Sequence, residues 1–286
     1  MAKVWQKSIF TFLVLSFLVA CGQQGAPGSS NAWTAVGDEQ GVFGGTRMTP
    51  EMALTRYVAG LRYRLDDGGM GSCTAALINE QTLLTAAHCV PKDKASMKIY
   101  FTTSMEDVAN VPAKNIRRVS DVIVHEKYEE AKGDLTRANP FDIAVLRIES
   151  SAPSHYRHLQ LATENFPISQ ISKAYVVGYG FESYDSKTRL VTGDQALKSA
   201  IVERKEVGDP NFLMLNQTKG TGICVGDSGG PMIVQNAAGF IIMGTASTVH
   251  NGTNFATCRG DSVYISVASM RNWIIQSAFE MSQQTN

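Results

Sequence analysis

The chain has 286 residues, 44% of them hydrophobic, and its 26 basic residues balance its 26 acidic ones. A chain without net positive charge gives no electrostatic reason to expect nucleic-acid binding. The hydrophobic fraction suits a packed core. Residues 42–282 could form one unit, since all-β barrels commonly run about 200–250 residues as a single domain.

Residues 1–20 have the pattern of an export signal. Lys3 and Lys7 precede an apolar run over 9–20, which is too short to cross a bilayer as a helix, because about 20 residues are needed. Cys21 follows, and the sequence LVACG around it resembles a bacterial lipobox, in which the cysteine is lipidated and becomes the mature amino terminus. The resemblance implies export across a bacterial inner membrane, with lipid anchoring in the cell envelope. The alternative is a plain signal peptide and a secreted protein, with Cys21 present by chance.

Residues 21–41 are expected to form a tether or pro-segment. The stretch 22–31 is small and polar, which is the composition of a flexible linker. Gly22 stands where an aspartate would resemble a signal for retention in the inner membrane, so the membrane that holds the anchor stays open, with the outer membrane as one candidate.

The rest of the chain alternates short apolar runs with clusters of Gly, Asp, Asn and Ser. This spacing is typical of an all-β sandwich or barrel. The runs lie at 97–102, 122–124, 143–148, 174–177 and 241–243. The end of the chain differs, because Met270, Trp273, Ile274 and Phe279 lie at near-helical spacing within Val267–Ser282.

Three motifs carry side chains that could act together in catalysis. His88 lies in LTAAHC after a strand-like run, Asp142 opens the apolar pattern FDIAVL, and Ser228 lies in GDSGGP. A serine hydroxyl is a weak nucleophile until a base takes its proton and nearby donors stabilise the oxyanion. Each motif alone also has an ordinary interpretation, as a surface or core histidine, a strand-end carboxylate or a polar turn.

Together, in the order His, Asp, Ser, the motifs resemble TAAHC, DIALL and GDSGGP of the chymotrypsin/trypsin-like serine peptidases; α/β-hydrolases have the order Ser, acid, His. The resemblance implies an all-β fold of two six-stranded antiparallel barrels with a C-terminal helix and a site in the cleft between barrels. It also implies catalytic roles for His88, Asp142 and Ser228 as base, orienting carboxylate and nucleophile. The backbone N–H groups of Gly226 and Ser228 would form the oxyanion hole.

The same resemblance pairs four of the five cysteines. Cys73 would bridge to Cys89 beneath the histidine, and Cys224 to Cys258 beside the substrate pocket. Disulfides fit an exported protein, whereas free buried thiols would fit a reducing cytosol. Cys21 has no partner in this pairing, which is consistent with its lipidation. No Cys/His spacing resembles a metal site, and neither a metal nor a cofactor is expected.

The VFGG sequence at 42–45 resembles the IVGG that becomes a new amino terminus when family members are activated. The resemblance implies that a free amine at Val42 pairs with Asp227 and shapes the oxyanion hole. Gly41 precedes Val42 in place of Arg or Lys, so another exported protease, rather than a trypsin-like one, is the expected activator. The alternative is a glycine turn that leads into the first strand.

Four residues are expected to bind substrate: Gly222, Ile223, Ser247 and Ser262. Gly222 stands where trypsin-like members carry an aspartate, so a basic side chain would lose its counter-ion there. Small or medium apolar P1 residues are therefore expected. Ser247 resembles the serine that contacts the catalytic aspartate, and Ser262 resembles a pocket-wall residue that is often glycine.

Other motifs resemble structural features of the family. His125 lies in a sequence similar to the H-P-x-Y turn, and Tyr179 replaces the tryptophan of a GWG turn. Trp273 is expected to pack in the core, and His155, His158 and His250 to lie at the surface.

The leading function is a monomeric, exported serine endopeptidase that acts on proteins or peptides. Two alternatives are an esterase that uses the same triad and a non-catalytic homologue that binds or adheres. Such homologues usually lose one of the three catalytic residues, whereas this chain keeps all three, which favours an enzyme.

Overall fold

The computed structural model of the chain describes residues 42, 44–128, 138–185, 188, 190–250, 258 and 260–284. The predictions for residues 1–41, including the export signal, the lipidated Cys21 and the tether, lie outside these residues. The described elements are mostly strands. In chain order they are β1 (Thr46–Arg47), β2 (Val58–Arg64), β3 (Met70–Leu77), β4 (Thr82–Thr85), β5 (Lys98–Tyr100), β6 (Ile116–Val124), β7 (Ala144–Ile148), β8 (Gln160–Leu161), β9 (Lys173–Gly178), β10 (Ser183–Asp185), β11 (Leu190–Thr192), β12 (Lys198–Lys205), β13 (Phe212–Asn216), β14 (Pro231–Asn236), β15 (Gly239–His250) and β16 (Asp261–Ser266).

The helices are short, apart from the last. Single 3₁₀ turns lie at Ala53–Tyr57, Ala87–Cys89, Lys94–Ser96, Val108–Asn110, Ala113–Asn115 and Ile168–Gln170, and the α-helix α1 covers Val267–Gln283. Within the described ranges, no helix combines the length and the apolar character that a membrane crossing requires.

The first barrel closes in the order β2-β3-β4-β7-β6-β5, and all its pairings are antiparallel. Apolar side chains from its strands fill the interior, including Leu61, Leu83, Ile99 and Leu146, none of which has exposed surface. Closure leaves no unpaired strand edge within the ring.

The second barrel closes because β9 pairs with both β12 and β14, which completes the ring β9-β12-β13-β16-β15-β14. The short β1 adds to β12, and β8 pairs in parallel with β15. The prediction of an all-β fold with two six-stranded antiparallel barrels and a C-terminal helix is therefore confirmed.

The barrels are joined by main-chain pairing and by one buried tyrosine. Met105 N donates to Gln195 O and Leu197 N to Thr103 O, both at 2.8 Å. Tyr179 is fully buried and its hydroxyl donates to Thr102 O at 2.6 Å. The residue that replaces the tryptophan of the family's turn thus connects the second barrel to the first.

Helix α1 packs on both barrels, against β15 and β16 of the second and β7 of the first. Its buried stripe is Val267, Met270, Ile274, Ser277 and Met281, at alternating spacings of three and four residues. Phe279 falls outside that stripe and is 63% exposed.

A three-ring stack attaches α1 to the first barrel. The buried His125 ring lies between the rings of Phe141 and Trp273, at centroid distances of 4.6 and 4.8 Å. Glu126 Oε2 accepts a hydrogen bond from Trp273 Nε1 at 3.0 Å, and His125 Nδ1 accepts one from Lys127 N at 3.2 Å. Burial lowers the pKa of His125; nearby Glu126 opposes this change and Lys127 adds to it. The stack therefore requires a neutral imidazole.

We expect this stack to make stability depend on pH below neutrality. In the unfolded chain His125 takes up a proton below its ordinary pKa of 6.5, whereas in the folded protein its pKa is lower. The unfolded state then binds more protons, so the stabilising contribution is complete above pH 6.5 and is lost as pH falls through the folded-state pKa. Urea unfolding at several pH values should show a shallower acid dependence for His125→Phe, which keeps the stack without the titration. Equal slopes for the two proteins would contradict this assignment.

Candidate active site

His88 and Asp142 form a hydrogen-bonded pair in the first barrel. His88 lies in the 3₁₀ turn that follows β4, and Asp142 lies two residues before β7. Asp142 Oδ2 is 2.8 Å from His88 Nδ1, and Oδ1 accepts the backbone N–H of His88 at 2.9 Å. One carboxylate therefore fixes both the main chain and the ring of His88, with Nδ1 facing the carboxylate.

The Asp142 carboxylate is buried but well bonded. Ser247 Oγ donates to Oδ2 at 2.6 Å, from an irregularity in β15 between Ala246 and Thr248. Burial alone would raise the pKa of Asp142, but the charge of His88 and the hydrogen bonds from His88 and Ser247 hold it below its ordinary value. The carboxylate therefore stays ionised beside the imidazole.

Ser228 lies on a loop pressed against the strands that lead to His88. Thr74 N donates to Ser228 O at 2.8 Å, and the sulfur of Cys89 is 3.8 Å from the same oxygen. Gly229 has φ of +80°, and a Cβ there would overlap Thr85 and the Thr74 carbonyl. A glycine is thus required for the loop to approach so closely.

The loop leaves two amide groups free beside Ser228. Asp227 N donates to Cys224 O, Gly229 N to Ala246 O, and Gly230 N to Asp227 O, at 2.7 to 3.1 Å. By contrast, the N–H groups of Gly226 and Ser228 donate to no acceptor in the described part of the chain. Two unused donors on the amino-terminal side of a half-buried serine can bind an anion that forms there.

Ser228 Oγ forms no hydrogen bond to any described residue. The structure brings the loop of Ser228 against the turn of His88 through Thr74 and Cys89, and against Asp142 through Ala246 and Ser247. The hydrogen bond between a catalytic serine and its base is often long in free enzymes and shortens when substrate binds.

Thr74 is a site residue that the sequence analysis missed. Its fully buried Oγ1 donates to Gly226 O at 2.9 Å and accepts Tyr179 N at 3.1 Å. The bond to Gly226 O fixes the peptide between Gly226 and Asp227, which lies between the two free N–H groups. The signal was available, since Thr74 follows Cys73 where the family sequence CGGSLI has a glycine.

Asp227 is fully buried behind the loop. Its carboxylate accepts Gly180 N at 2.7 Å and Cys224 N at 2.8 Å. Burial raises the pKa of Asp227 to about 7, although the two amide donors and nearby Lys198 act to lower it. In the described chain the carboxylate is thus held by backbone groups.

Lys198 supplies positive charge near Asp227. It pairs with Gly178 in the β9–β12 ladder, and a Cβ at Gly178 would overlap the Asp227 carboxylate. Lys198 Nζ is 3.0 Å from Glu182 Oε1 and 2.9 Å from Asp194 Oδ1, and Asp194 also pairs with Arg47 of β1. A buried ammonium is tolerated because it is paired.

Both disulfides are formed. Cys73 and Cys89 are joined with Cα atoms 6.3 Å apart, and Cys224 and Cys258 with Cα atoms 4.9 Å apart. A ring nitrogen of His88 lies within 4.8 Å of the first pair of sulfurs. Because these sulfurs are bonded to each other, they are not the thiolates that a metal ion would bind.

Three of the four residues expected to bind substrate lie in the segments next to the second disulfide, whereas Ser247 contacts Asp142. Gly222, Ile223 and Ser262 are buried, and Ser262 lies opposite Leu215 in the β13–β16 ladder. Gln217, which the sequence analysis did not single out, fills the space beside Gly222. All these side chains are uncharged.

Comparison with known proteins agrees with this geometry. A family model described as Trypsin matches residues 43–274. The chain belongs to the trypsin family. It is 30% identical over 227 residues to trypsin beta of Drosophila erecta, which covers 75% of this chain and 81% of that relative. It is 29% identical to trypsin alpha of Drosophila melanogaster over 226 residues, or 75% and 80% of the two chains. Serine protease SSP1 of Scolopendra subspinipes is 25% identical over 278 residues, 92% of each chain. The protein is a serine endopeptidase of this family.

We expect Thr74→Val to weaken both the fold and the reactivity of Ser228. The variant keeps the shape of the side chain but leaves Gly226 O and Tyr179 N unpaired, which costs roughly 1–3 kcal/mol of unfolding free energy. The labelling rate by a fluorophosphonate should fall roughly tenfold, less than the ~10²–10³ for a lost oxyanion donor.

Thr55→Val is the matched control for this variant. Thr55 is also buried and donates to a backbone carbonyl, that of Thr49, at 2.8 Å. It should lose stability similarly and label at the wild-type rate. An unchanged rate in Thr74→Val would show that Thr74 does not position the loop.

Proposed function

We propose that Ser228 is the nucleophile of this endopeptidase, with His88 as general base and acid and Asp142 as the orienting carboxylate. The observation that carries this proposal is the pair of free N–H groups on the buried Gly226 and the half-buried Ser228, in a loop where the N–H groups of Cys224, Asp227, Gly229 and Gly230 are bonded. Buried N–H groups are nearly always hydrogen-bonded in folded proteins, so two unbonded ones in this loop indicate a role in binding.

The chemistry follows from these positions. Ser228 Oγ attacks the scissile carbonyl while His88 Nε2 takes the hydroxyl proton, and the carbonyl oxygen becomes an anion held by the two N–H groups. His88 then gives that proton to the leaving amine, which departs as the acyl-enzyme forms. A water molecule attacks the acyl group with His88 again as base, and releases the acid and the serine.

Asp142 contributes through orientation and charge. Because its Oδ2 lies at Nδ1, the proton of neutral His88 is held there and Nε2 presents its lone pair to Ser228. As His88 becomes a cation, the buried carboxylate stabilises it more strongly than an exposed one could. Ser247 keeps the carboxylate in place during this change.

We expect Ser228→Ala to abolish peptide hydrolysis, with a fall of roughly 10⁶ in kcat, because the acyl-enzyme cannot form. A fluorophosphonate should label the wild type at Ser228 and leave the variant unlabelled. Ser154→Ala, at an exposed serine, is the control and should keep full activity. Near-normal turnover by Ser228→Ala, or no labelling of the wild type, would reject the proposed nucleophile.

The preferred P1 residue is proposed to be small or medium and apolar. Gly222 and the neighbouring Gln217, Ile223 and Ser262 offer no negative charge to a Lys or Arg side chain. Two of the relatives are named trypsins, but a basic P1 residue would lack a counter-ion in this pocket. The natural substrates are proposed to be proteins or peptides, cleaved by a monomer.

Activation is proposed to follow cleavage between Gly41 and Val42. Val42 is buried, with 1% exposure, and a Cβ at Gly44 would overlap the Gly220 carbonyl, so this segment lies against the loop that precedes Gly222. A new ammonium at Val42 would supply a full positive charge to Asp227, whose pKa of about 7 leaves it partly protonated at neutral pH. An activating protease of the same compartment would make the cut.

Export and lipid anchoring at Cys21 are proposed from the sequence around it. The named relatives come from Drosophila and Scolopendra, so the inference of a bacterial envelope rests on LVACG alone. The two proposals interact, because a cut before Val42 separates the peptidase from residues 21–41. Four of the five cysteines are in disulfides, and the fifth is Cys21 itself, so no disulfide would keep the pieces together.

Mass spectrometry of the amino terminus should therefore find two forms. Membrane-extracted protein should begin at a lipidated Cys21 and react slowly with a fluorophosphonate. Soluble, reactive protein should begin with Val-Phe-Gly-Gly. Full reactivity of the uncut form would reject activation by cleavage, and an unmodified Cys21 in membrane extracts would reject the anchor.

A further inference from the structure

Gln217 lies just beyond β13 and its side chain has no exposed surface. Its main chain is fixed on both sides: Gln217 N donates to Gly260 O, and Gly220 N donates to Gln217 O, both at 3.0 Å. The backbone of Gln217 is therefore fixed at both its N–H and its C=O. A fully buried amide must use its donors and acceptor or lose stability.

The amide of Gln217 binds two separate segments. Its Oε1 accepts Ile223 N at 2.9 Å, while its Nε2 donates to Ile223 O at 3.0 Å and to Cys258 O at 2.5 Å. The orientation of the amide is fixed by this pattern, because a flipped group would place NH₂ against an N–H donor. One side chain thus connects Ile223, which precedes Ser228 by five residues, to Cys258.

These two segments are also joined covalently, since Cys224 follows Ile223 and bridges to Cys258. Gln217 and the disulfide therefore form two parallel connections between the same pieces of chain. The disulfide limits the distance between the two pieces of chain. The three hydrogen bonds fix the orientation of the Ile223 backbone, at both its N–H and its C=O, relative to Cys258.

Gln217 also determines what can stand at position 222. A Cβ built on Gly222 would overlap Oε1 and Cβ of Gln217. A side chain at this position, including the carboxylate that a basic P1 residue would need, is therefore excluded while Gln217 is present.

We propose that Gln217 is a positioning residue that sets P1 specificity. It fixes Ile223 and Cys258 beside the substrate pocket, and it leaves no room for a side chain at position 222. The inference rests on the proposed function, in which residues 222–224 line that pocket. Gln217 does not touch the substrate. It keeps the pocket narrow and uncharged, which suits small or medium apolar side chains.

The test compares Gln217→Met with the wild type on peptides that differ only in P1, with Ala, Val, Leu, Phe, Lys and Arg. Methionine matches the length of glutamine but forms none of the three hydrogen bonds. The ratio of kcat/KM between the best and the worst P1 residue should fall about tenfold or more, mainly through a higher KM for the best. The rate of fluorophosphonate labelling at Ser228 should stay within about threefold.

Gln81→Met is the matched control in the first barrel. Gln81 is half-buried and its Oε1 accepts Arg147 Nη2 at 3.0 Å. This variant should keep the wild-type order of P1 residues. If Gln217 had a purely structural role, the kcat/KM values of all the peptides would fall by the same factor and the order of P1 residues would stay unchanged.

Gln217→Glu provides a second readout. It keeps the acceptor for Ile223 N, but its second oxygen faces the carbonyls of Ile223 and Cys258, to which only a protonated carboxyl can donate. At alkaline pH, where this carboxyl ionises, a negative charge lies behind Gly222, so Lys and Arg should gain about tenfold or more relative to Leu. One outcome is that the wild type is labelled and active while a folded variant keeps its kcat/KM ratios between P1 residues within about twofold of the wild-type ratios. In that case the proposed role of Gln217 is wrong and the proposed function stands. If the wild type is neither labelled nor active, the proposed function itself fails.

Discussion

The site depends on a close backbone contact between the two barrels. The carbonyl of Ser228 accepts Thr74 N at 2.8 Å, and Gly229 lies so near β3 and the end of β4 that only a glycine fits. The first barrel carries His88 and Asp142, and the second carries Ser228 and the unbonded amides of Gly226 and Ser228. Neither barrel holds the whole candidate site. The distance between the two halves is therefore fixed by main-chain contact, which has fewer degrees of freedom than side chains do.

Buried charge is the second constraint on this arrangement. Asp142 is stabilised by His88 and Ser247, and Lys198 by Glu182 and Asp194. Among the described residues, Asp227 has amide donors and a lysine that is already paired. The two carboxylates therefore differ in the direction of their pKa changes, although both are buried. Asp142 is held in its ionised form, whereas the pKa of Asp227 would fall if another positive charge were placed beside it.

Much of the fold and part of the site could be predicted from the sequence. The barrels, the terminal helix and both disulfides were accessible because short motifs around His88, Asp142, Ser228 and the cysteines identify a family with a known arrangement. The strand runs alone indicated only an all-β class, since a sandwich and a barrel have the same spacing of apolar and turn residues.

The residues that the sequence did not reveal act through tertiary contacts. Thr74, Gln217 and Lys198 are ordinary polar residues within or beside strands, and each becomes important only through a partner far away in the chain. Thr74 reaches Gly226 across 152 residues of sequence, and Gln217 reaches Cys258 across 41. Periodicity cannot detect such partners because it reports one face of one element. Near-helical spacing also grouped Phe279 with residues that pack on the barrel, although its side chain is exposed. A few apolar positions at helical spacing do not show which side of the helix meets the barrel.

The ring of Trp273 covers His125, which stacks on Phe141 next to Asp142. Trp273 also donates to Glu126, 147 positions earlier in the chain. The surroundings of Asp142 are therefore complete only when α1 has docked on the first barrel. Local order at this carboxylate is thus coupled to the docking of the helix, although the strands of the barrel close without it.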